Sequence, residues 1–125
     1  MTSAIRREIL ALEHAQADAI NRGDIQAATK MFDRRFVGFS STKHARIHGI
    51  AALARTFHYY RKHAPKMNYR IAQPHVQRIG QTAVATFYWT VGLGRGRTLR
   101  GRGTHVFVRQ GRAWRVVHEH FSRAH

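Results

Sequence analysis

The 125-residue chain has no cysteine and only six acidic residues, so two kinds of reactive side chain are absent or scarce. Without cysteine, disulfides, thiolate metal sites and thiol nucleophiles are excluded. No apolar run reaches the roughly 20 residues that a membrane-spanning helix needs. Residues 1–9 carry Arg6, Arg7 and Glu8 with no apolar stretch behind them, which is unlike a signal peptide. We therefore expect a cytoplasmic protein with no membrane partner.

Basic residues are abundant where acidic ones are few. There are 22 Lys and Arg against six Asp and Glu, which gives a net charge of +16 with histidine neutral. Residues 1–30 are neutral, and residues 31–75 and 76–125 share the excess, so the charge does not lie in a basic tail. Such a charge predicts an acidic partner, nucleic acid being one, although a composition bias explains it equally well.

One segment, residues 94–103, concentrates arginine between glycines. Flexible Gly-Arg repeats can follow a polyanion, and this interpretation makes Arg95, Arg97, Arg100 and Arg102 polyanion-binding residues. The alternative is a glycine-rich hairpin connection with solvated arginines, because strand-like segments lie on both sides.

Hydrophobic spacing predicts helices in the first half of the chain and strands in the second. Apolar residues recur at helical spacing over residues 4–21, Asp24 caps a short second helix, and a third runs over residues 49–63 before Pro65. A short strand near residues 36–39 and a brief one at 46–48 are followed by four longer strands. These cover residues 67–79, 82–92, 99–109 and 114–122. This order predicts a single α+β domain over residues 1–125.

Several segments, taken in order, resemble the nuclear transport factor 2-like superfamily. They are Asn21-Arg22-Gly23-Asp24, Gly49 at a helix start, Gln73-Pro74-His75-Val76, residues 103–109, and the closing residues 114–122 with their Trp-x-x-Val-His-x-His-x-Ser pattern. The similarity covers residues 8–122. It is closest to the SnoaL-like group and to the association domain of calcium/calmodulin-dependent protein kinase II.

The resemblance implies a cone-shaped roll, in which three helices pack on a strongly curved, mostly antiparallel sheet with a pocket at its mouth. It also implies homo-oligomers, either dimers or larger rings. The association domain holds carboxylates with pocket arginines, and the matching positions here are His105, Phe121 and Thr90. That acid-binding role is therefore not expected in this chain.

Strand alternation extends these positions to a candidate pocket. Glu119 should share a face with Phe121, and Tyr88 with Thr90, so Glu119, His105 and Tyr88 become the candidate catalytic group. Glu119 would act as general base, and His105 or Tyr88 would donate to a developing oxyanion. Thr90, Phe121 and Tyr60 are the candidate ligand-binding residues.

The last strand carries His118 and His120 at a spacing that points both side chains the same way. Two imidazoles could bind zinc, but no third ligand is evident, so we expect no metal and no cofactor. The resemblance instead implies an outer sheet face, where Trp114, His118 and His120 would contact another subunit.

Three functions remain open at this stage. The first is a small-molecule-binding and self-assembly module without catalysis. The second is a SnoaL-like isomerase, cyclase or hydratase that uses the pocket carboxylate on a small hydrophobic substrate. The third is polyanion binding through the arginine-rich surface.

Overall fold

A computed structural model describes residues 3–124 of the chain; Met1, Thr2 and His125, which the expected domain includes, lie outside the described residues. Within residues 3–124 there are three helices and six strands, and the four longest strands follow the last helix. In order they are α1 (Ser3–Asn21), α2 (Ile25–Thr29), β1 (Phe32–Phe39), β2 (Ile47–His48), α3 (Gly49–His63), β3 (Asn68–Ile79), β4 (Thr82–Gly94), β5 (Arg97–Gln110) and β6 (Ala113–Arg123). The α+β prediction is thus confirmed, and β1 begins earlier than its apolar run suggested.

The helices form where the sequence predicts them. The apolar stripe of α1 is buried, with Ile9 and Ala19 fully inaccessible to solvent. The Asp24 side chain accepts a hydrogen bond from the Ala27 amide, which satisfies a free donor at the start of α2. No helix within residues 3–124 has the length and apolarity needed to cross a membrane.

All six strands form one curved sheet in the order β2-β1-β6-β5-β4-β3. Most neighbours are antiparallel, and only β1 and β6 run parallel. Pro74 lies in β3, which is an edge strand, and the register of β3 shifts between Ala72 and His75. Proline lacks an amide donor, so an edge position beside an irregularity suits it.

The sheet has a helix-covered face and an outer face, and alternation assigns each residue of β4 to one of them. Ala83, Ala85, Phe87 and Trp89 are buried beneath the helices, whereas Thr86, Tyr88 and Thr90 are exposed. The strand pairs then carry this assignment to β5, where Gly103 and His105 pair with Phe87 and Ala85.

The arginine-rich segment is a hairpin, as the second interpretation predicted. β4 and β5 meet at a tight turn in which Arg95 and Gly96 have φ values of 54° and 74°. Positive φ at both central positions matches the twist of a two-residue hairpin. Arg95, Arg97, Arg100 and Arg102 are all exposed. Arg95 extends from the tight turn, and the other three extend from β5.

A cavity with a buried carboxylate–imidazole–carboxylate cluster

A cavity of about 170 Å³ lies between the helices and the covered face of the sheet. Aliphatic and aromatic side chains form most of its wall, among them Ile20, Leu53, Phe57, Tyr69, Trp89 and Phe121. The Trp89 and Phe121 rings stack with their centroids 6.1 Å apart. A molecule that enters this space therefore meets mainly apolar surface.

Glu119 is the one acidic residue that lines the cavity, and it is joined to a second carboxylate through His105. The His105 ring is fully buried, and its Nδ1 lies 2.7 Å from Oε2 of Glu13. Its Nε2 lies 2.6 Å from Oε1 of Glu119. The cluster therefore ties α1 to β5 and β6, and it fixes the orientation of the Glu119 carboxylate.

The two carboxylates determine the charge of the imidazole. Burial by itself would lower the pKa of His105, but the neighbouring charges and hydrogen bonds of Glu13 and Glu119 outweigh it and raise this pKa to about 10. Both ring nitrogens can then donate, one to each carboxylate. At neutral pH the cluster holds one imidazolium between two carboxylates.

Three further buried polar atoms belong to residues that line the cavity. Gln16 Oε1, Tyr69 Oη and Trp89 Nε1 have no hydrogen-bond partner among the described residues. Burial raises the pKa of Tyr69 well above its usual value, and the negative charges of Glu13 and Glu119 add to this effect. Tyr69 therefore keeps its proton and remains a hydrogen-bond donor. Unpaired buried polar groups are uncommon in proteins and suit a ligand that pairs with them.

The structure brings part of the predicted site together. Glu119, Phe121 and Tyr60 line the cavity, and His105 lies directly behind Glu119. The Tyr60 hydroxyl also lies 2.7 Å from Oγ1 of Thr42, which joins α3 to the loop before β2. Their roles in ligand binding and catalysis stay predictions.

The predicted placement of Tyr88 and Thr90 is wrong. Tyr88 is 54% exposed on the outer face, and Thr90 lies beside it on the same face. Side chains of β4 alternate cleanly between two faces, but the sequence does not say which of the two alternating sets faces the helices. Trp89 and Phe87 fill that face because they bury more apolar area.

Trp114 also lies on the other face from the one expected. Val106 pairs with His118, but the next residue, Phe107, pairs with Val116, so Val117 is an extra residue in β6. This bulge reverses the alternation, which places Trp114 at 2% exposure on the covered face. A subunit contact through Trp114 is therefore excluded by its burial.

His118 and His120 lie beyond the bulge on the outer face. His118 Nδ1 is 2.9 Å from the Val37 carbonyl oxygen, and the His120 ring packs near Phe39. Within residues 3–124 no group of three His, Asp or Glu side chains has an arrangement that could hold a metal ion. The contact of these histidines with another subunit stays a prediction.

Sequence reasoning missed Glu13, Gln16, Tyr69 and Trp89 as site residues. Glu13 and Gln16 share the buried stripe of α1 with Ile9 and Ile20, at helical spacings of four, three and four. A carboxylate on an otherwise apolar helix face could have signalled a buried polar cluster, because such a group needs a partner.

Comparisons of the sequence and of the structure with known proteins point to the same family. The SnoaL-like domain profile matches residues 9–125. A nuclear transport factor 2-like protein of unknown function from Pseudomonas putida is 26% identical, with 98% of this chain and 88% of that chain covered and a TM-score of 0.89.

Two more distant structures share the fold. A candidate dehydratase of the same superfamily from Streptomyces avermitilis is 16% identical, with 99% of both chains covered and a TM-score of 0.85. A candidate calcium/calmodulin-dependent protein kinase II association domain from Xanthomonas campestris is 17% identical, with 94% and 86% covered and a TM-score of 0.81. The chain belongs to the SnoaL-like domain family, and its fold is that of the nuclear transport factor 2-like proteins.

Proposed function

We propose that this protein binds a small, mainly apolar molecule with one polar group, and that the polar group pairs with Glu119. The observation that supports this best is the coincidence of an apolar cavity with a fixed carboxylate and three unpaired buried polar atoms. Ligand sites commonly combine apolar walls with a few placed polar groups. A cavity of this volume suits a ligand with a single ring, since a dry cavity of roughly 150 Å³ accommodates benzene.

Phenol and toluene test this proposal because they have the same shape and differ in a hydroxyl against a methyl group. Titration calorimetry should show phenol binding roughly tenfold or more tightly, since a hydrogen bond to a charged group contributes about 1.5–3 kcal/mol. The Glu119→Gln variant should lose most of this preference. Glu8→Gln on the exposed side of α1 is the matched control and should keep it. Equal affinities in the unmodified protein would contradict the proposal.

The second candidate function is proton transfer next to a carbonyl group. Among the described residues no hydrogen bond reaches Oε2 of Glu119, while His105 holds Oε1. Oε2 is therefore available to take a proton from a carbon beside a carbonyl. Tyr69 and Trp89 could donate hydrogen bonds to the resulting enolate oxygen, as in other sites that stabilise developing negative charge. The candidate dehydratase of similar fold is compatible with this chemistry.

Exchange of the α-hydrogens of cyclohexanone in deuterated water tests proton transfer without knowledge of the natural substrate. A C–H bond breaks, the carboxylate takes the proton, and a deuteron later returns to the carbon. Removing a general base usually costs 10²- to 10⁴-fold in rate, so Glu119→Gln should lose about 100-fold or more. An exchange rate equal to that of Glu8→Gln would exclude Glu119 as the base.

We also propose self-association, which the similarity to an association domain supports. A row of three valines and one histidine crosses the outer face, where Val37, His118, Val106 and Val84 pair in register. All four are half-buried. Packing this row against a second copy would remove it from water, and sedimentation would then show a dimer or a ring.

A further inference from the structure

The outer face of the sheet carries a basic surface that is separate from the cavity on the covered face. β3, β4 and β5 hold no acidic residue, and Glu119 of β6 faces the cavity on the other side. The remaining acids lie on α1, before α2 and in β1. The described residues at the hairpin end of the outer face are therefore only basic or neutral.

Strand register places three arginines and one tyrosine together at this end. Arg100 pairs with Thr90, which pairs with Arg70, and Arg102 pairs with Tyr88 in the adjacent row. Neighbouring strands are about 4.8 Å apart and alternate residues about 6.8 Å apart, so these side chains are neighbours. We call Arg70, Tyr88, Arg100 and Arg102 the arginine–tyrosine patch.

The patch is not neutralised within the chain. None of its three arginines forms an ion pair or a side-chain hydrogen bond with another described residue, and all three are exposed. Arg35 of β1, by contrast, pairs with Asp33 at 2.9 Å. Clustered cations without partners repel one another, so an external polyanion would bind here with favourable electrostatics.

Tyr88 distinguishes among polyanions. Its ring is 54% exposed beside Arg102, although an aromatic ring of this size is usually buried. Single-stranded nucleic acid offers phosphates for arginines and unpaired bases for an exposed ring, and protein surfaces that bind it combine these two elements. An acidic protein offers only the charge, and a duplex keeps its bases stacked.

We propose that the arginine–tyrosine patch binds single-stranded nucleic acid, with the arginines on phosphates and Tyr88 stacked on a base. This function is independent of the cavity, because the patch lies on the opposite face of the sheet. It gives the structured hairpin the polyanion-binding role that the sequence left open.

Fluorescence anisotropy with a labelled oligothymidylate of about 20 nucleotides tests the proposal, since it spans more than one typical site. Affinity should fall steeply between about 50 and 200 mM salt, and the logarithmic slope is about −0.7 for each phosphate neutralised. The double variant Arg100→Gln/Arg102→Gln should make this slope shallower by about 1.4. Arg6→Gln/Arg7→Gln removes the same charge from exposed positions of α1 and should change the slope little.

Tyr88→Ala should weaken binding about tenfold and leave the salt slope unchanged, because stacking is not electrostatic. Tyr59→Ala is the matched control, since Tyr59 is 50% exposed on α3, away from the patch. Melting curves of the variants check that each remains folded.

Three results would overturn the proposal. The first is equal loss in the two arginine double variants, which would reduce the interaction to net charge. The second is binding of polyglutamate as tight as that of the oligonucleotide, with Tyr88→Ala without effect on either, which would indicate an acidic protein partner. The third is a dimer of the free protein that buries Tyr88 and does not dissociate when the oligonucleotide is added.

Discussion

At the scale of single residues, His105 connects the stability of the fold to the candidate site. It is buried between Glu13 of α1 and Glu119 of β6, so one imidazole joins the helical layer to the cavity wall. Removing one partner of a buried charged cluster leaves the others uncompensated, which is more costly than losing one hydrogen bond. The position of the Glu119 carboxylate therefore depends on two residues that do not line the cavity.

The first prediction concerns the pH dependence of stability. The pKa of His105 is about 10 in the folded protein, against an ordinary value of 6.5. Between these values the folded state holds a proton that the unfolded state has lost, so stability is complete below pH 6.5 and falls as pH rises towards 10. The decline should approach about 1.4 kcal/mol per pH unit in chemical denaturation.

Glu13→Gln is the matched variant for this prediction. The amide retains an acceptor for Nδ1–H but removes one of the charges that raise the His105 pKa. The decline should therefore still begin near pH 6.5, the ordinary value, but end at a lower pH, so less stability is lost in total. An unmodified protein whose unfolding free energy stays constant from pH 7 to 10 would contradict a protonated His105.

At the scale of elements, β5 shows how glycines make room for aromatic side chains. A Cβ atom at Gly103 would lie 2.6 Å from the Phe87 ring and 3.2 Å from the Phe121 ring. Both rings therefore pack directly against the backbone of this strand. A similar close approach to the Trp89 ring exists at Gly101, so two successive covered-face positions of β5 are glycines that leave room for aromatic rings.

The second prediction follows from this packing. Gly103→Ala should destabilise the protein by about 1–3 kcal/mol, because overpacking displaces side chains. It should also weaken phenol binding, since Phe121 lines the cavity. Gly92→Ala is the control: its added Cβ would meet its nearest neighbour at 3.9 Å, an ordinary contact. Equal melting temperatures for the two variants would show that the rings move aside freely.

Elements were largely predictable, but the faces of the strands were not. The spacing of apolar residues and the positions of helix-capping and helix-ending residues predicted all three helices and the long strands. Alternation in β4 left two equivalent choices of face, and the wrong choice placed Tyr88 in the cavity. In β6 the Val117 bulge broke the alternation, and a bulge arises from pairing with a neighbouring strand.

At the scale of the whole molecule, the net charge of +16 works against compactness. Four of the six acids lie in residues 1–30, so the sheet-forming half has almost no compensating charge. The like charges of the outer face should therefore repel one another, and added salt should weaken this repulsion.

The third prediction is that salt stabilises this protein. Raising ionic strength from about 0.01 to 0.15 M shortens the Debye length from about 30 to 8 Å, which should raise the unfolding free energy by about 1 kcal/mol. Arg100→Gln/Arg102→Gln should be more stable at low salt and gain less from screening. A melting temperature that falls with added sodium chloride would indicate that attractive ion pairs dominate.

The fourth prediction concerns assembly. His118 lies in the row of the outer face that we propose to pack against a second copy, and His120 lies in the next row. His118→Arg/His120→Arg should therefore dissociate an assembly formed through this face, since like charges would be buried together. His118→Gln/His120→Gln adds no charge and should keep the size that sedimentation gives for the unmodified protein. An unchanged size in the arginine variant would exclude these histidines from the interface.

The sequence by itself determined the helices and strands, the family and the excess of charge, because each depends on local periodicity, ordered motifs or composition. The family resemblance also implied His105 and Phe121 as pocket positions, and strand alternation added Glu119 to them. Only the tertiary structure decided which face of each strand meets the helices, and so separated Tyr88 from the cavity and brought Glu13 to His105. Those pairings join residues that are distant in the chain, and they are set by packing of the whole core rather than by any local pattern.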